Sequence, residues 1–207
     1  MQIPPAYKQN TTGAMTYPAP GTFNRLLFKS PLIWWRMGLG PLLGHSILVV
    51  TTWGRKTHVP RYTMLSYTLL EEGQIYVGAG WGAYCDWYRN IQADPHVTVQ
   101  IGKRTFNAIA RRVTEINEFR RAATRLFETG GDSHFRPYLE SLGIEYNLED
   151  MVAKRDRLYQ IALDPIGGEE GMICPPPIEA DLGWVWGVMA ASFAVGWLVG
   201  KGGRRRH

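Results

Sequence analysis

The sequence predicts an α+β domain built as a small antiparallel β-barrel with flanking helices, followed by a C-terminal transmembrane helix. Three observations point there. Short β-branched or apolar runs recur at 47–52, 61–70, 74–79, 97–101, 104–113 and 158–163, each bounded by turn residues. Helical periodicity is confined to the stretches between them. The 19 residues from Leu182 to Gly200 hold no charged side chain.

Residues 1–21 read as an irregular arm, polar and carrying Pro4, Pro5, Pro18 and Pro20. The barrel domain is expected over 22–166. Thr22 can cap a helix bearing Phe23, Leu26 and Leu27. Ser30-Pro31 has the form of a cap and first helical position, opening a second short helix that carries Ile33, Trp34, Trp35 and Met37 and stops at Gly38-Leu39-Gly40-Pro41. This basic, Trp-rich element either lies on a membrane surface or packs its apolar face on the barrel. The β-branched run Ile47–Thr52 is a strand by propensity, and Gly54-Arg55-Lys56-Thr57 is a turn. A second strand, 61–70, meets a third, 74–79, around Glu71-Glu72-Gly73. Residues 83–93 form a short helix that Asp94-Pro95 ends, because proline cannot continue it. Strands 97–101 and 104–113 form a hairpin about Gly102-Lys103. Residues 115–129 place Ile116, Phe119, Ala123 and Leu126 on one helix face. Residues 130–154 suggest further short helices, and 158–163 a last strand closed by Asp164-Pro165. Residues 167–181 read as a linker.

The segment 182–200 is long enough to cross a bilayer, at roughly 28 Å for a helix against a hydrocarbon core of about 30 Å. Trp184 and Trp186 stand near one end and Trp197 near the other, as interfacial anchors do. The pairs Gly183/Gly187 and Gly196/Gly200 either allow close helix–helix approach, and with it a homodimer, or are small residues that happen to recur. Residues 201–207 are a basic tail. The expectation is a single-pass membrane protein. The tail favours the cytoplasmic side, whereas a domain that uses a cytosolic redox coenzyme belongs there itself; the domain is taken to decide, with its catalytic part cytoplasmic.

Composition narrows the function class. The net charge is +5 over 207 residues, and Lys201, Arg204, Arg205 and Arg206 supply four of the positive charges. A basic balance favours an anionic partner, but the fold itself carries no basic stripe beyond Arg111, Arg112, Arg120, Arg121 and Arg125, which argues against nucleic acid. Cys85 and Cys174 have neither metal-ligand nor disulfide-framework spacing, and the five histidines are scattered. No metal site is expected. The polar N-terminus has no hydrophobic signal core, so no secretory peptide is expected.

The chemistry concentrates between Ser46 and Gln100. Arg55 and Lys56 project from a tight turn and Arg61 follows, so three cations near one loop can hold a phosphate or carboxylate tail; a solvated turn would look the same. Gly78, Gly80 and Gly82 alternate through a strand end, where glycine permits close approach to a flat ligand. Trp81, Trp87 and Tyr88 either flank a planar ring or belong to the core.

Taken together, T-T-x-G-R-K-T-x-x-P-R, a glycine loop, and D-W-Y-R-N-I-x-A-D-P-x-V-T-V-Q resemble the deazaflavin-dependent nitroreductase family, from about Leu43 to Val113. The resemblance implies a split β-barrel of the flavin-reductase, FMN-binding-like type that binds coenzyme F420. It also implies an enzyme that transfers a hydride from the reduced deazaflavin to an electron-poor acceptor, nitroaromatic or quinone-like. By motif position Arg55, Lys56 and Arg61 would hold the anionic tail, and Thr63, Ala79 and Gly80 would line the ring pocket. Trp87, Tyr88 and Asn90 would support the cofactor from the helix. Family members often place C-terminal tyrosines near the ring; Tyr138, Tyr146 and Tyr159 are the candidates. Two departures stand out: Trp81 in the glycine loop, and His58 where the family usually has glycine.

Such an enzyme demands little of the protein, since the cofactor carries the hydride and the protein orients it and excludes water. The absence of a nucleophile–base set is therefore expected. The alternatives are an FMN- or haem-binding split barrel, and a non-catalytic, membrane-anchored cofactor carrier or sensor.

Overall fold

The computed structural model describes residues 31–129, 132–167 and 173–203, with side-chain surroundings in the C-terminal helix given as far as Phe193. The N-terminal arm and the helix expected after Thr22 lie outside the described residues, as do the last four residues of the tail.

The chain begins with α1 (Pro31–Trp34), a π-turn (Trp35–Leu39) and α2 (Gly40–Leu43). The expected stop at Gly38 is only a kink. Gly38 takes φ +88°, and helix resumes at Gly40 with Pro41 in its first turn, where proline's missing N–H costs nothing. Strands β1 (Ile47–Trp53), β2 (Pro60–Leu69) and β3 (Ile75–Gly78) follow, then a 3-10 turn (Gly82–Tyr84) and α3 (Asp86–Ala93). Next come β4 (His96–Ile101), β5 (Arg104–Arg112), α4 (Ile116–Thr129), α5 (Asp132–Ser141) and α6 (Leu148–Ala153). Strand β6 (Gln160–Pro165) and α7 (Trp184–Gly203) end the described chain.

The six strands close an antiparallel barrel in the order β1-β2-β3-β6-β5-β4, with β1 pairing β4 to shut it. Alternation sorts each strand's side chains inward or outward. Leu48, Val50, Val77, Val97, Val99, Ile161 and Leu163 fill the interior, and Trp87, Tyr88 and Ile91 of α3 join the same cluster. The outer faces are covered too. Tyr76 and Ala162 pack beneath α4, α5 and α6 with Phe119, Leu139 and Met151. Trp35 and Ile178 cover Val49, Tyr62 and Met64. Strand β1 is consequently buried on both faces along Leu48–Thr52, which explains why it reads as an unbroken apolar run rather than an alternating one.

The barrel is split along one seam. Strand β2 pairs with β1 from Pro60 to Ser66, but with β3 only through Tyr67, Thr68 and Leu69. Over 60–66 its other edge carries no strand ladder among the described residues. Beyond Gly78 the chain leaves β2 and turns along β6, the Ala79 N–H donating to the Tyr159 carbonyl at 2.9 Å.

The C-terminal expectation needs correcting. A helix does form, over Trp184–Gly203 rather than from Leu182. Among the described residues, however, no helix is long and apolar enough to cross a membrane, so a transmembrane span over 182–200 is not supported. Trp197 and the Gly196/Gly200 pair lie beyond the described side chains. Residues 173–180 have no regular secondary structure, but they are tied to the barrel. Trp53 Nε1 donates to the Ile173 carbonyl (3.1 Å), Thr98 Oγ1 donates to the Pro175 carbonyl, and the Gln100 amide both donates to and accepts from Ile178 (3.1 and 2.8 Å).

Candidate functional site

The turn between β1 and β2 is fixed by its own backbone. Gly54 N–H donates to the Val59 carbonyl at 3.0 Å, while Thr57 and His58 donate back to the Gly54 carbonyl. His58 sits at φ +50°, in the left-handed region that glycine occupies without steric cost. The departure from glycine seen in the sequence therefore falls at the one described non-glycine residue with positive φ.

The three cations of this turn part ways. Arg55 is drawn onto α3. Its N–H and Nη1 donate to Asn90 Oδ1 (3.2 and 3.1 Å), Nη1 also reaches the Asp86 carbonyl, and Nη2 pairs with Asp86 Oδ1 at 3.1 Å. Asn90 is buried and donates its Nδ2 to Thr52 Oγ1 at 3.0 Å. Arg55, Asp86, Asn90 and Thr52 thus staple the turn to the helix that plugs the barrel. Lys56 and Arg61 are exposed, and among the described residues Arg61 makes one side-chain bond, to Thr57 Oγ1 at 3.2 Å.

A cleft of about 750 Å³ opens on the outer side of the β2–β3 seam. Its floor comes from β2, β3 and β6, with Ser66, Thr68, Gly78 and Gln160; α4 and α5 form the opposite wall with Arg125, Phe135 and Tyr138. Gly80, Tyr159 and the pair His45–Ser46 complete it. A Cβ added at Gly78 or Gly80 would meet nothing within 4 Å among the described residues. Glycine there leaves the space on the Cβ side of the backbone open among the described residues. Gln160 is buried, and its Oε1 has no hydrogen-bond partner among the described residues.

Tyr159 is held on three sides. Its ring lies against Gly82, where a Cβ would come within 2.9 Å, and Gly82 itself takes φ +52°. Tyr88 meets it edge-on at 5.1 Å, and the Arg112 guanidinium lies 4.0 Å above it. Burial pushes the Tyr138 phenol well above its ordinary range, with the nearby Cys85 adding to the effect, so Tyr138 keeps its proton at neutral pH. Burial likewise raises Tyr88 and pushes the Cys85 thiol up to about 11. Cys85 is therefore a protonated core thiol, not a nucleophile.

Of the residues expected at the site, the cleft brings together Gly80, Tyr138 and Tyr159. Thr63 is half-buried on the inward-facing parity of β2, opposite Val50. Ala79 is buried, with its N–H already committed to Tyr159. Trp87 and Tyr88 are core residues. Tyr146 stacks on Phe127 at 4.6 Å and is not a cleft residue. Sequence reasoning passed over Ser66, Thr68 and Gln160. Ser66 and Thr68 share one strand face, and Gln160 interrupts an apolar strand; both were visible signals. Among the described residues no cluster of His, Cys, Asp or Glu could hold a metal ion.

The split antiparallel barrel thus carries a cleft bordered by Gly78 and Gly80 and, in and after the β1–β2 turn, the exposed cations Lys56 and Arg61. Residues 37–130 match the family described as F420H(2)-dependent quinone reductase. The matched stretch makes the chain similar to the F420H2-dependent oxidoreductases, the family that the motif from Leu43 to Val113 resembles, whose cofactor is coenzyme F420. Among solved structures it is similar to an F420-H2 dependent reductase, FDR-A, at 26% identity over 57% of this chain and 93% of that one, with a TM-score of 0.41. It is also similar to HutZ, a haem storage protein from Vibrio cholerae, at 15% identity over 67% and 90% of the two chains and a TM-score of 0.43. The likeness rests on the family match and not on these partial superpositions.

The residues present fit this cofactor. The open Cβ side of Gly78 and Gly80 would admit a planar ring, and the Gln160 Oε1, unpartnered among the described residues, matches a ring edge that offers N–H groups. Arg61 stands about 17 Å from Ser66, five residues along β2, and Lys56 lies in the turn before that strand.

Proposed function

We propose that the protein uses reduced F420 to reduce an electron-poor small molecule, quinone-like or nitroaromatic, while held at a membrane by its C-terminal helix with the barrel on the cytoplasmic side. The observation that carries this reading is the seam cleft, with its glycine floor and the exposed cations Lys56 and Arg61 at the far end of β2. Its apolar wall suits a flat acceptor lying over a flat donor.

When bound, F420 supplies the hydride. The chain's own residues do the rest. Lys56 and Arg61 would hold the tail by charge-assisted hydrogen bonds. Gly78 and Gly80 would seat the ring by letting it approach the backbone. Tyr159, clamped by Gly82, Tyr88 and Arg112, gives one wall a fixed position. Tyr138 holds a proton at its phenolic oxygen and can donate a hydrogen bond to the acceptor. Phe135, Met151 and Leu158 line the cleft and exclude water. Membrane attachment would concentrate a lipophilic acceptor beside the cleft. The cytoplasmic side is proposed because the coenzyme is reduced there.

The test is oxidation of F420H2 by the full chain in vesicles, with a water-soluble quinone, a long-chain quinone and a nitroaromatic as acceptors. Turnover with preference for the long-chain quinone is expected. Binding without turnover on any acceptor would leave a cofactor carrier instead.

A further inference from the structure

The segment before the barrel and the segment after it meet. Arg36 forms a fork with Asp181, Nε to Oδ1 at 2.7 Å and Nη2 to Oδ2. The Leu182 N–H donates to the Arg36 carbonyl at 2.9 Å, and Trp186 Nε1 donates to the Met37 carbonyl at 2.9 Å. Ile178, buried under Trp35, fixes the intervening chain to β1. Helix α7 therefore leaves the barrel from a fixed point beside residues 31–43.

Both partners in this junction show apolar side chains to solvent. Leu42 is 71% exposed and Trp34 49%; on α7, Trp184 is 65% and Phe193 76% exposed. On α7 these groups are not confined to a stripe. Taking about 100° per residue, Trp184 and Val188 fall on one side, and Met189 and Phe193 on the roughly opposite one. A protein groove covers one stripe of a helix, and these side chains exceed one stripe. Tryptophan at both elements suits a bilayer interface, and the sequence continues with Lys201, Arg204, Arg205 and Arg206, which favour anionic headgroups.

We propose that residues 31–43 and the start of α7 form one platform that docks on an anionic lipid bilayer, and that this platform sets the orientation of the cleft. It rests on the membrane association proposed above and adds that the barrel is not a tethered float. The cleft's His45–Ser46 end follows α2 directly, and Tyr67 Oη donates to the Gly44 carbonyl at 2.8 Å. Docking through Leu42 accordingly brings that end of the cleft to the membrane surface.

The experiment places an environment-sensitive NBD label on the full chain at Leu42→Cys or at Val188→Cys, in a Cys174→Ser background that leaves only the buried Cys85. Each protein is mixed with phosphatidylcholine vesicles, with and without phosphatidylglycerol, and quenched by lipid-borne nitroxide. The proposal expects a blue shift and quenching at both positions, stronger with phosphatidylglycerol. Lipid contact at position 188 alone would overturn the shared platform while leaving anchorage by α7 intact. Contact at neither would overturn both. Equal binding to neutral vesicles would overturn the anionic preference. Both label sites are exposed, and an unchanged circular dichroism melt confirms that each variant folds.

Discussion

Arg55 and Lys56 are adjacent in the chain and take opposite roles. Arg55 turns inward and is consumed by Asp86 and Asn90; Lys56 stays in solvent. The same division runs through the whole motif. The staple of Thr52, Arg55, Asp86 and Asn90 is buried or half-buried and internally hydrogen-bonded. The cleft is the reverse, bordered by Gly78 and Gly80 and holding a side-chain Oε1 at Gln160 that has no partner among the described residues, while Lys56 and Arg61 stay exposed nearby in sequence. A recognisable motif therefore mixes residues that build a site with residues that serve it, and only the second kind should change affinity without changing stability.

The largest effect should come from breaking the staple. Asn90→Ala takes the partner from the Thr52 hydroxyl and the Arg55 N–H and one of the guanidinium's contacts, at a cost of about 3 kcal/mol and a fall in melting temperature of about 6–12 °C, read by circular dichroism. Lys56→Ala should do the converse. It removes one charge-assisted contact, weakening F420 binding about 10- to 100-fold with the melt unchanged. Gly80→Val should also weaken binding without loss of stability, because its side chain projects into open space. Gly82→Ala crosses the line between the two regions. Its φ of +52° and the Tyr159 ring 2.9 Å from the new Cβ should cost about 1–3 kcal/mol and impair binding together. Equal losses of stability and affinity in Lys56→Ala would erase the distinction.

Smaller effects sharpen it away from the site. The Glu118 carboxyl is held below its ordinary 4.5, first by its hydrogen bonds to Arg111, which also bonds Asp164. Its folded value is depressed, so the stabilisation is present above 4.5 and is lost as pH falls through the folded value. Glu118→Gln should flatten that acid limb in a pH series of melts and leave F420 affinity alone. His58→Gly relieves the left-handed strain at φ +50°. It should raise stability by up to about 1 kcal/mol, since relief of strain is partly offset by a freer unfolded chain.

The barrel was legible because its strands are short, β-branched and punctuated by turns, a pattern that depends only on local chemistry. Its closure and seam were not, because they depend on where β2 stops pairing with β3. In the site, glycine spacing marked Gly80, and the turn cations were plain. The fate of Arg55 was hidden, since nothing local says that Asp86 and Asn90, more than thirty residues on, will claim it. Trp87 and Tyr88 proved to be core, as aromatics beside a buried helix face usually are. Residues 173–181 read as a linker by composition, yet Gln100 and Ile178 make them part of the barrel's cover. That contact joins positions 78 residues apart, beyond the reach of any sequence window.

The most direct test is a fluorescence titration of the full chain with oxidised F420, run beside FMN, for the native protein, Lys56→Ala and Gly80→Val, with a thermal melt of each. Saturable F420 binding, weakened in both variants at unchanged melting temperature, is the predicted result. Preference for FMN, or F420 affinity indifferent to both substitutions, would contradict the assignment of the cleft and the exposed turn cations to this cofactor.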